Sequence, residues 1–195
     1  MNTIASFETA HSIPKKAVQV VSILAASWLI AASAQMSITL PFSPVPISGQ
    51  SLAVLITGVM LGKNKGAAAV ALYLSQGAAG LPFFAGGKSG LVTLLGPTGG
   101  YLFGFVIAAY VVGMLTELRY KKSLFFHATN LFIGNLIIYG IGLFWLAKFV
   151  GESQVLQLGF FPFLIGDGLK ILVGVLGIGS LKLFSLPIFN RDQFS

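Results

Sequence analysis

Long apolar runs, cut by glycine, proline and small clusters of charge, set the pattern of the chain. They divide it into six hydrophobic segments, at residues 17–36, 48–61, 66–79, 98–118, 125–150 and 160–183. A helix needs about 20 apolar residues to cross the roughly 30 Å hydrocarbon core of a bilayer. The segments at 48–61 and 66–79 are short for that task. Between the first and second segments lies Leu40-Pro-Phe-Ser-Pro-Val-Pro46, and proline at that density favours extended backbone and stops helices. A second breaker-rich stretch, Gly80-Leu-Pro-Phe-Phe-Ala-Gly-Gly-Lys-Ser-Gly90, separates the third from the fourth. Residues 1–14 are polar and carry Glu8. They lack the basic start and immediate apolar core of a signal peptide, so the first run is expected to be a retained span.

Composition narrows the class. Hydrophobic residues make up 55% of the 195 positions and charged residues 9%, against about 25% charged in an ordinary soluble domain. Mean hydropathy is +0.89. Such a chain cannot cover a water-facing surface, so lipid is the expected solvent for most of it. The expectation is one all-α integral membrane domain over residues 1–195, with no separate soluble domain or internal repeat.

The charges then give the topology. Lys15 and Lys16 precede the first segment, and Lys63 and Lys65 lie between the second and third. Arg119, Lys121 and Lys122 lie between the fourth and fifth, and Lys182 and Arg191 close the chain. These clusters fall at every second connection. The positive-inside rule then predicts six transmembrane helices with both termini in the cytoplasm. A four-helix reading, with the second and third segments as a re-entrant pair, would bury Lys63 and Lys65 in hydrocarbon at high cost. The net charge of +7 does not point to nucleic acid, because the basic residues form no stripe or patch.

Glycine numbers 24, and small residues recur at helical spacing, as in Ser22-x-x-x-Ala26, Ser27-x-x-x-Ala31 and Ala67-x-x-x-Ala71. In lipid such spacings let helix backbones approach closely. Packing inside the bundle is the favoured reading over a face for a partner.

Two polar positions fall inside a span. Asp167 and Lys170 are three residues apart and share one helix face, which Gly174 and Gly177 continue. Ionisable groups in a membrane pair with each other or line a polar cavity. The pair is either a structural lock for the last helix or a ligand site. The site is favoured because the pair lies near the helix start, on the predicted external side. Such a pair suits a ligand with hydrogen-bond donors and an anionic end, since an ionised Asp only accepts and Lys only donates. Gln50, Tyr101, Asn130, Asn135 and Tyr139 add neutral groups that serve either a ligand or helix–helix bonding. Lys88 sits in the second breaker-rich loop, also predicted external, where glycines permit close approach of backbone to a ligand. It reads equally as a solvated loop lysine.

Several chemistries are excluded. The chain has no cysteine and two distant histidines, His11 and His127, so disulfides, thiolate metal sites and a histidine metal site are not expected. The Walker spacing is absent, as are the zinc-protease and serine-hydrolase motifs. Of the five acidic residues, Glu8, Glu117, Glu152, Asp167 and Asp192, only Asp167 is placed for work inside the membrane, so no carboxylate dyad is available. The chain is not expected to be an enzyme or to hold a cofactor.

Three stretches carry a resemblance to a known family. They are Pro41-Phe-Ser-Pro-Val-Pro-Ile-Ser-Gly-Gln-Ser-Leu-Ala-Val-Leu55, then Gly80-Leu-Pro-Phe-Phe-Ala-Gly-Gly running on into Leu95-Gly-Pro-Thr-Gly-Gly-Tyr-Leu-Phe-Gly-Phe105, and Gly166-Asp-Gly-Leu-Lys170. Together they resemble BioY, the biotin-specific S component of energy-coupling-factor (ECF) transporters, over about residues 17–184. The resemblance implies the six-helix S-component fold in the cytoplasmic membrane and high-affinity capture of biotin near the external face. It implies a membrane T subunit and two cytoplasmic ATPase subunits as partners. Asp167 and Lys170 match the family's last-helix polar pair and would hold polar groups of biotin. Lys88 falls where the Gly-rich loop reaches the ligand, Tyr101 is placed to pack on the bicyclic ring, and Gln50 heads the second helix with donor and acceptor. The first helix departs from the family's Ala-x-x-x-Ala docking pattern, with serine–alanine variants in its place. An S component for another small vitamin, or a membrane scaffold with a structural Asp–Lys pair, are the alternatives.

Overall fold

A computed structural model describes residues 14–118 and 123–183. Glu8, His11, Arg119, Lys121, Lys122, Arg191 and Asp192 lie outside them, as does the side chain of Lys182. The order is helix α1 (Lys15–Gln35), strands β1 (Ser37–Leu40) and β2 (Ser43–Ser48), then helices α2 (Gln50–Leu61), α3 (Lys63–Ala78), α4 (Leu91–Leu95), α5 (Gly99–Leu118), α6 (Leu124–Val150), α7 (Val155–Gly159) and α8 (Leu164–Leu183). Short 3-10 turns occupy Ala85–Gly87 and Phe161–Phe163.

Four stretches are long and apolar enough to cross a membrane: Lys15–Gln35, Gly99–Leu118, Leu124–Val150 and Val155–Gly179. The fold is therefore mostly helical and membrane-embedded. At a rise of about 1.5 Å per residue, α2 spans roughly 18 Å and α3 roughly 24 Å, less than a full bilayer core. The environment of α2 explains its shortness. α2 packs against α1, α3, α5, α6 and α8 and carries no exposed residue. It is enclosed by its neighbours, and the β-hairpin that precedes it packs against α1, α7 and the turn Ala85–Gly87.

The expectation of an all-α chain is corrected by that hairpin. β1 and β2 pair antiparallel, with Ser37 opposite Ser48, Ile38 opposite Ile47 and Leu40 opposite Ser43. Proline density points to extended backbone here, and the structure adds the pairing. A two-stranded ribbon leaves one edge of each strand free. Pro44 and Pro46, two residues apart, share an edge, so both can lack an N–H without breaking the ladder. A second correction concerns Lys63 and Lys65. A single residue, Gly62 at φ 80°, joins α2 to α3, so both lysines belong to the first turn of α3. A third feature is α4, a helical turn between the breaker-rich loop ending at Gly90 and the segment expected from residue 98, where no element was assigned. A fourth is at the last span, where Pro162 breaks the expected 160–183 helix into a 3-10 turn followed by α8.

Glycines set the close approaches. A Cβ at Gly58 would lie 2.5 Å from the carbonyl oxygen of Ala109, and one at Gly113 2.5 Å from the backbone nitrogen of Lys63. The α2–α3 turn is thereby pressed against the end of α5. There Glu117 Oε1 accepts the backbone N–H of Lys63 at 2.9 Å, and its other oxygen lies 3.7 Å from the Lys63 ammonium. The carboxylate thus caps an α3 N-terminus that has no side-chain cap of its own. Ser27, in the first helix, is fully buried and donates to Gln76 Oε1 at 3.2 Å. The Ser27–Ala31 spacing is used inside the bundle, as favoured.

The other connections gather at the opposite end. Ser43 Oγ donates to the Leu158 carbonyl at 2.6 Å, stitching the hairpin to α7. Gln35 Nε2 donates to the Pro82 carbonyl at 3.1 Å, and Trp145 Nε1 to that of Gly96 at 3.0 Å. These bonds close a cap over the bundle end, and the cleft lies beneath it.

Candidate functional site

The cleft, counted out to its open mouth and the solvent there, spans about 710 Å³. Gln50, Lys88, Tyr101, Asp167 and Lys170 all line it. Five positions scattered over 120 residues of sequence therefore meet in one place.

Asp167 lies in the first turn of α8, where the helix dipole favours a negative charge. Its Oδ1 is 2.9 Å from the Lys170 ammonium. Its Oδ2 accepts a short hydrogen bond from the Tyr139 hydroxyl. Lys170 also donates to Ser51 Oγ at 3.1 Å. Side-chain exposure is 18% for Lys170 and 11% for Asp167, so the pair is held nearly dry but opens onto the cleft. The network ties α8 to α6 and α2. An ionised carboxylate offers about four acceptor positions; two are taken here and the remainder are available to N–H donors of a ligand.

Gln50 begins α2 directly below the hairpin. Ser48 donates to its Oε1 at 3.0 Å, and its Nε2 donates a short bond to the Tyr73 hydroxyl. Tyr73 in turn donates to the Phe83 carbonyl at 3.4 Å. Gln50 thus joins the cleft floor to the loop that carries Lys88.

Tyr101 contributes its ring rather than its hydroxyl. The hydroxyl donates to the Gly159 carbonyl at 2.9 Å. The ring fits against Gly142, where a Cβ would lie 2.5 Å from Cε1. It stands edge-on to Tyr139 at 6.4 Å between centroids. Phe84, Phe105, Ile138 and Phe163 extend this apolar wall.

Lys88 is exposed at the mouth. No ion pair or hydrogen bond of its ammonium is found among the described residues. The remaining neutral groups separate. Asn135 and Tyr139 line the cleft. Asn130 does not: its Nδ2 donates to Thr116 Oγ1 at 2.8 Å and to the Val112 carbonyl at 3.0 Å, binding α6 to α5. Ser51, Ser48, Thr93 and Thr98 also line the cleft, and sequence reasoning did not single them out. Ser51 was the reachable one, since it adjoins Gln50 in a helix already placed beside the site.

A sequence profile described as the BioY family matches residues 6–184. The chain is 41% identical over 140 residues to the biotin transporter BioY of Thermotoga maritima, covering 71% of this chain and 82% of that one. It is 38% identical to a probable biotin transporter BioY of Pyrococcus horikoshii, over 76% of this chain and 86% of the other. It is 33% identical to the biotin transporter BioY of Rhizobium etli, over 87% and 94%. Among solved structures, the S component for biotin from an ECF-type ABC transporter superposes with a TM-score of 0.79 at 22% identity, covering 86% of this chain and 92% of that one. The fold is therefore that of an S component. These relatives are transport proteins and not enzymes, in line with the expectation from the missing catalytic sets. The chain belongs to the BioY family.

Proposed function

We propose that the chain captures biotin at the external face of the cytoplasmic membrane, as the substrate-binding subunit of an ECF-type transporter. It would act with a membrane T subunit and two ATPase subunits that supply the energy.

The charge balance of the cleft supports this most directly. Asp167 and Lys170 neutralise each other at 2.9 Å, which leaves Lys88 as the uncompensated charge among the lining residues. A fitting ligand is a neutral head with donors and an acceptor, an apolar body and one anionic end. Biotin has that form: a cyclic urea, a fused sulfur ring and an alkyl chain ending in a carboxylate. The urea N–H groups suit the open acceptor positions of Asp167, and its carbonyl suits Lys170. The wall from Tyr101 to Phe163 suits the ring and chain. The carboxylate reaches Lys88 at the mouth, where it keeps partial hydration.

The six-span topology with cytoplasmic termini fits the same reading. The α2–α3 turn lies level with Glu117 in the last turn of α5, at the end of the bundle away from the cleft. Lys63 and Lys65 then sit at a membrane surface and not inside it.

Calorimetry on detergent-purified protein with biotin, thiamine and riboflavin tests the assignment. Saturable binding of biotin alone is expected. Binding of another vitamin without biotin would move the chain to a different S-component specificity.

A further inference from the structure

We propose that Gly77, which lies outside the cleft, positions Lys88 over it by providing a notch for the ring of Phe84. The proposal rests on the reading of Lys88 as partner of the ligand's carboxylate.

Phe84 is 1% exposed although it belongs to a surface loop. Its ring enters α3 at Gly77, where a Cβ would lie 2.5 Å from Cε1 and 2.9 Å from Cε2. On its other side it meets Tyr73 edge-on at 5.7 Å. The backbone then links this anchor to Lys88. The Phe84 N–H donates to the Lys88 carbonyl at 3.0 Å, and the Gly87 N–H to the Phe84 carbonyl at 3.1 Å. The Gly90 N–H donates to the carbonyl of Gly77 itself at 2.8 Å. Between these bonds, Gly86 and Gly87 both take positive φ, 70° and 71°, which folds the segment back on Phe84. Gly86, Gly87 and Gly90 have nothing within 4 Å of an added Cβ. The turn Ala85–Gly87 also packs against α1 and β1, with Ala85 buried, and the Phe84 anchor and these backbone bonds set where Lys88 leaves that turn. A rigid mount matters for an exposed lysine, because a long flexible side chain loses much of a charge contact to its own entropy.

Gly77 lies inside α3 with helical backbone, where alanine is the better helix former. Any loss in Gly77→Ala must therefore come from collision with Phe84 and not from the helix. Phe84→Leu leaves the notch partly empty. In the double variant the alanine methyl occupies the space that the shorter side chain vacates.

The test compares biotin with its uncharged primary amide, by calorimetry, on wild type, Gly77→Ala, Phe84→Leu, the double variant and Lys88→Gln. Wild type is expected to prefer biotin by about tenfold, the size of one partly hydrated charged hydrogen bond. Lys88→Gln and Gly77→Ala should bring that preference below about threefold while leaving affinity for the amide nearly unchanged; Phe84→Leu, whose ring also lines the cleft, should lower the biotin-to-amide ratio in the same way on top of any loss common to both ligands, and the double variant should regain part of that ratio. Equal loss of both ligands in Gly77→Ala, or an intact preference, overturns the proposal. Should Gly77→Ala not fold, the biotin-to-amide ratio of Phe84→Leu carries the test, and an unchanged ratio there overturns the proposal. If Lys88→Gln binds biotin as wild type does, the proposal falls while biotin capture stands. If wild type binds neither ligand, the functional reading itself falls.

Discussion

Asp167→Asn changes the site with almost no change in shape, so its effect can be worked from the contacts. In wild type the carboxylate receives Lys170 at 2.9 Å and Tyr139, and keeps acceptor positions facing the cleft. The amide has one acceptor oxygen and presents an NH2 group in place of the other. That oxygen can serve Tyr139 or Lys170, and the NH2 then opposes either the remaining donor or the N–H groups of the ligand. A hydrogen bond to a charged group contributes about 1.5–3 kcal/mol. Truncating one partner of a buried charge pair costs about 2–5 kcal/mol. Side-chain exposures of 18% and 11% describe a pair that is nearly dry but opens onto the cleft, so the loss falls where the two ranges overlap. A loss of about 2–3 kcal/mol corresponds to roughly 30- to 150-fold weaker biotin binding. Calorimetry gives the affinity, and the melting temperature of the ligand-free protein shows whether the fold survives. Lys170→Met and the double variant complete a cycle. If the two residues act as one unit, the double variant loses much less than the sum of the single changes. A folded Asp167→Asn protein that binds biotin within about threefold of wild type would refute the site.

Two further outcomes test the remaining geometry. Tyr101→Phe removes the bond to Gly159 but keeps the ring; it should lower the melting temperature by about 2–4 °C, as expected for about 1 kcal/mol in a chain of this size, and change biotin affinity less than about threefold. Because the chain has no cysteine, a single Asn64→Cys in the exposed first turn of α3 reports topology directly; an impermeant maleimide should label it in inside-out vesicles and leave it unlabelled in intact cells, and the reverse would invert the assigned orientation.

The helical bundle was legible because lipid simplifies the code. A span must satisfy its own backbone hydrogen bonds, so long apolar runs mark helices and the bounds of α1, α5 and α6 fall within two residues of expectation. What was not legible is local geometry decided by tertiary partners. The stretch from Leu40 to Pro46 carries the signal for extended backbone but none for pairing, since its partner strand, Ser37–Leu40, directly follows the expected end of the first helix at residue 36 and shows no strand pattern of its own. The short helix Leu91–Leu95 was hidden because five residues cannot show a helical period. The capping of α3 by Glu117 joins residues 54 positions apart, and no sequence window contains both.

The site shows the same division, and it explains why charge was the better guide than polarity. Asp167 and Lys170 stood out because an ionisable group in hydrocarbon is costly enough to need a reason. Neutral groups carry no such signal. Asn130 and Asn135 lie on the same helix five residues apart, yet one bonds α6 to α5 and the other faces the cleft. Tyr101 and Tyr139 are both cleft tyrosines, but one spends its hydroxyl on the Gly159 carbonyl and the other on the Asp167 carboxylate. A neutral hydrogen bond is satisfied equally well by backbone, side chain or ligand, so residue type cannot tell which. The glycines decide much of the outcome. Gly142 and Gly159 make room for Tyr101, and Gly77 for Phe84. In a chain with 24 glycines, composition cannot show which of them are notches, because a notch is defined by the side chain that enters it.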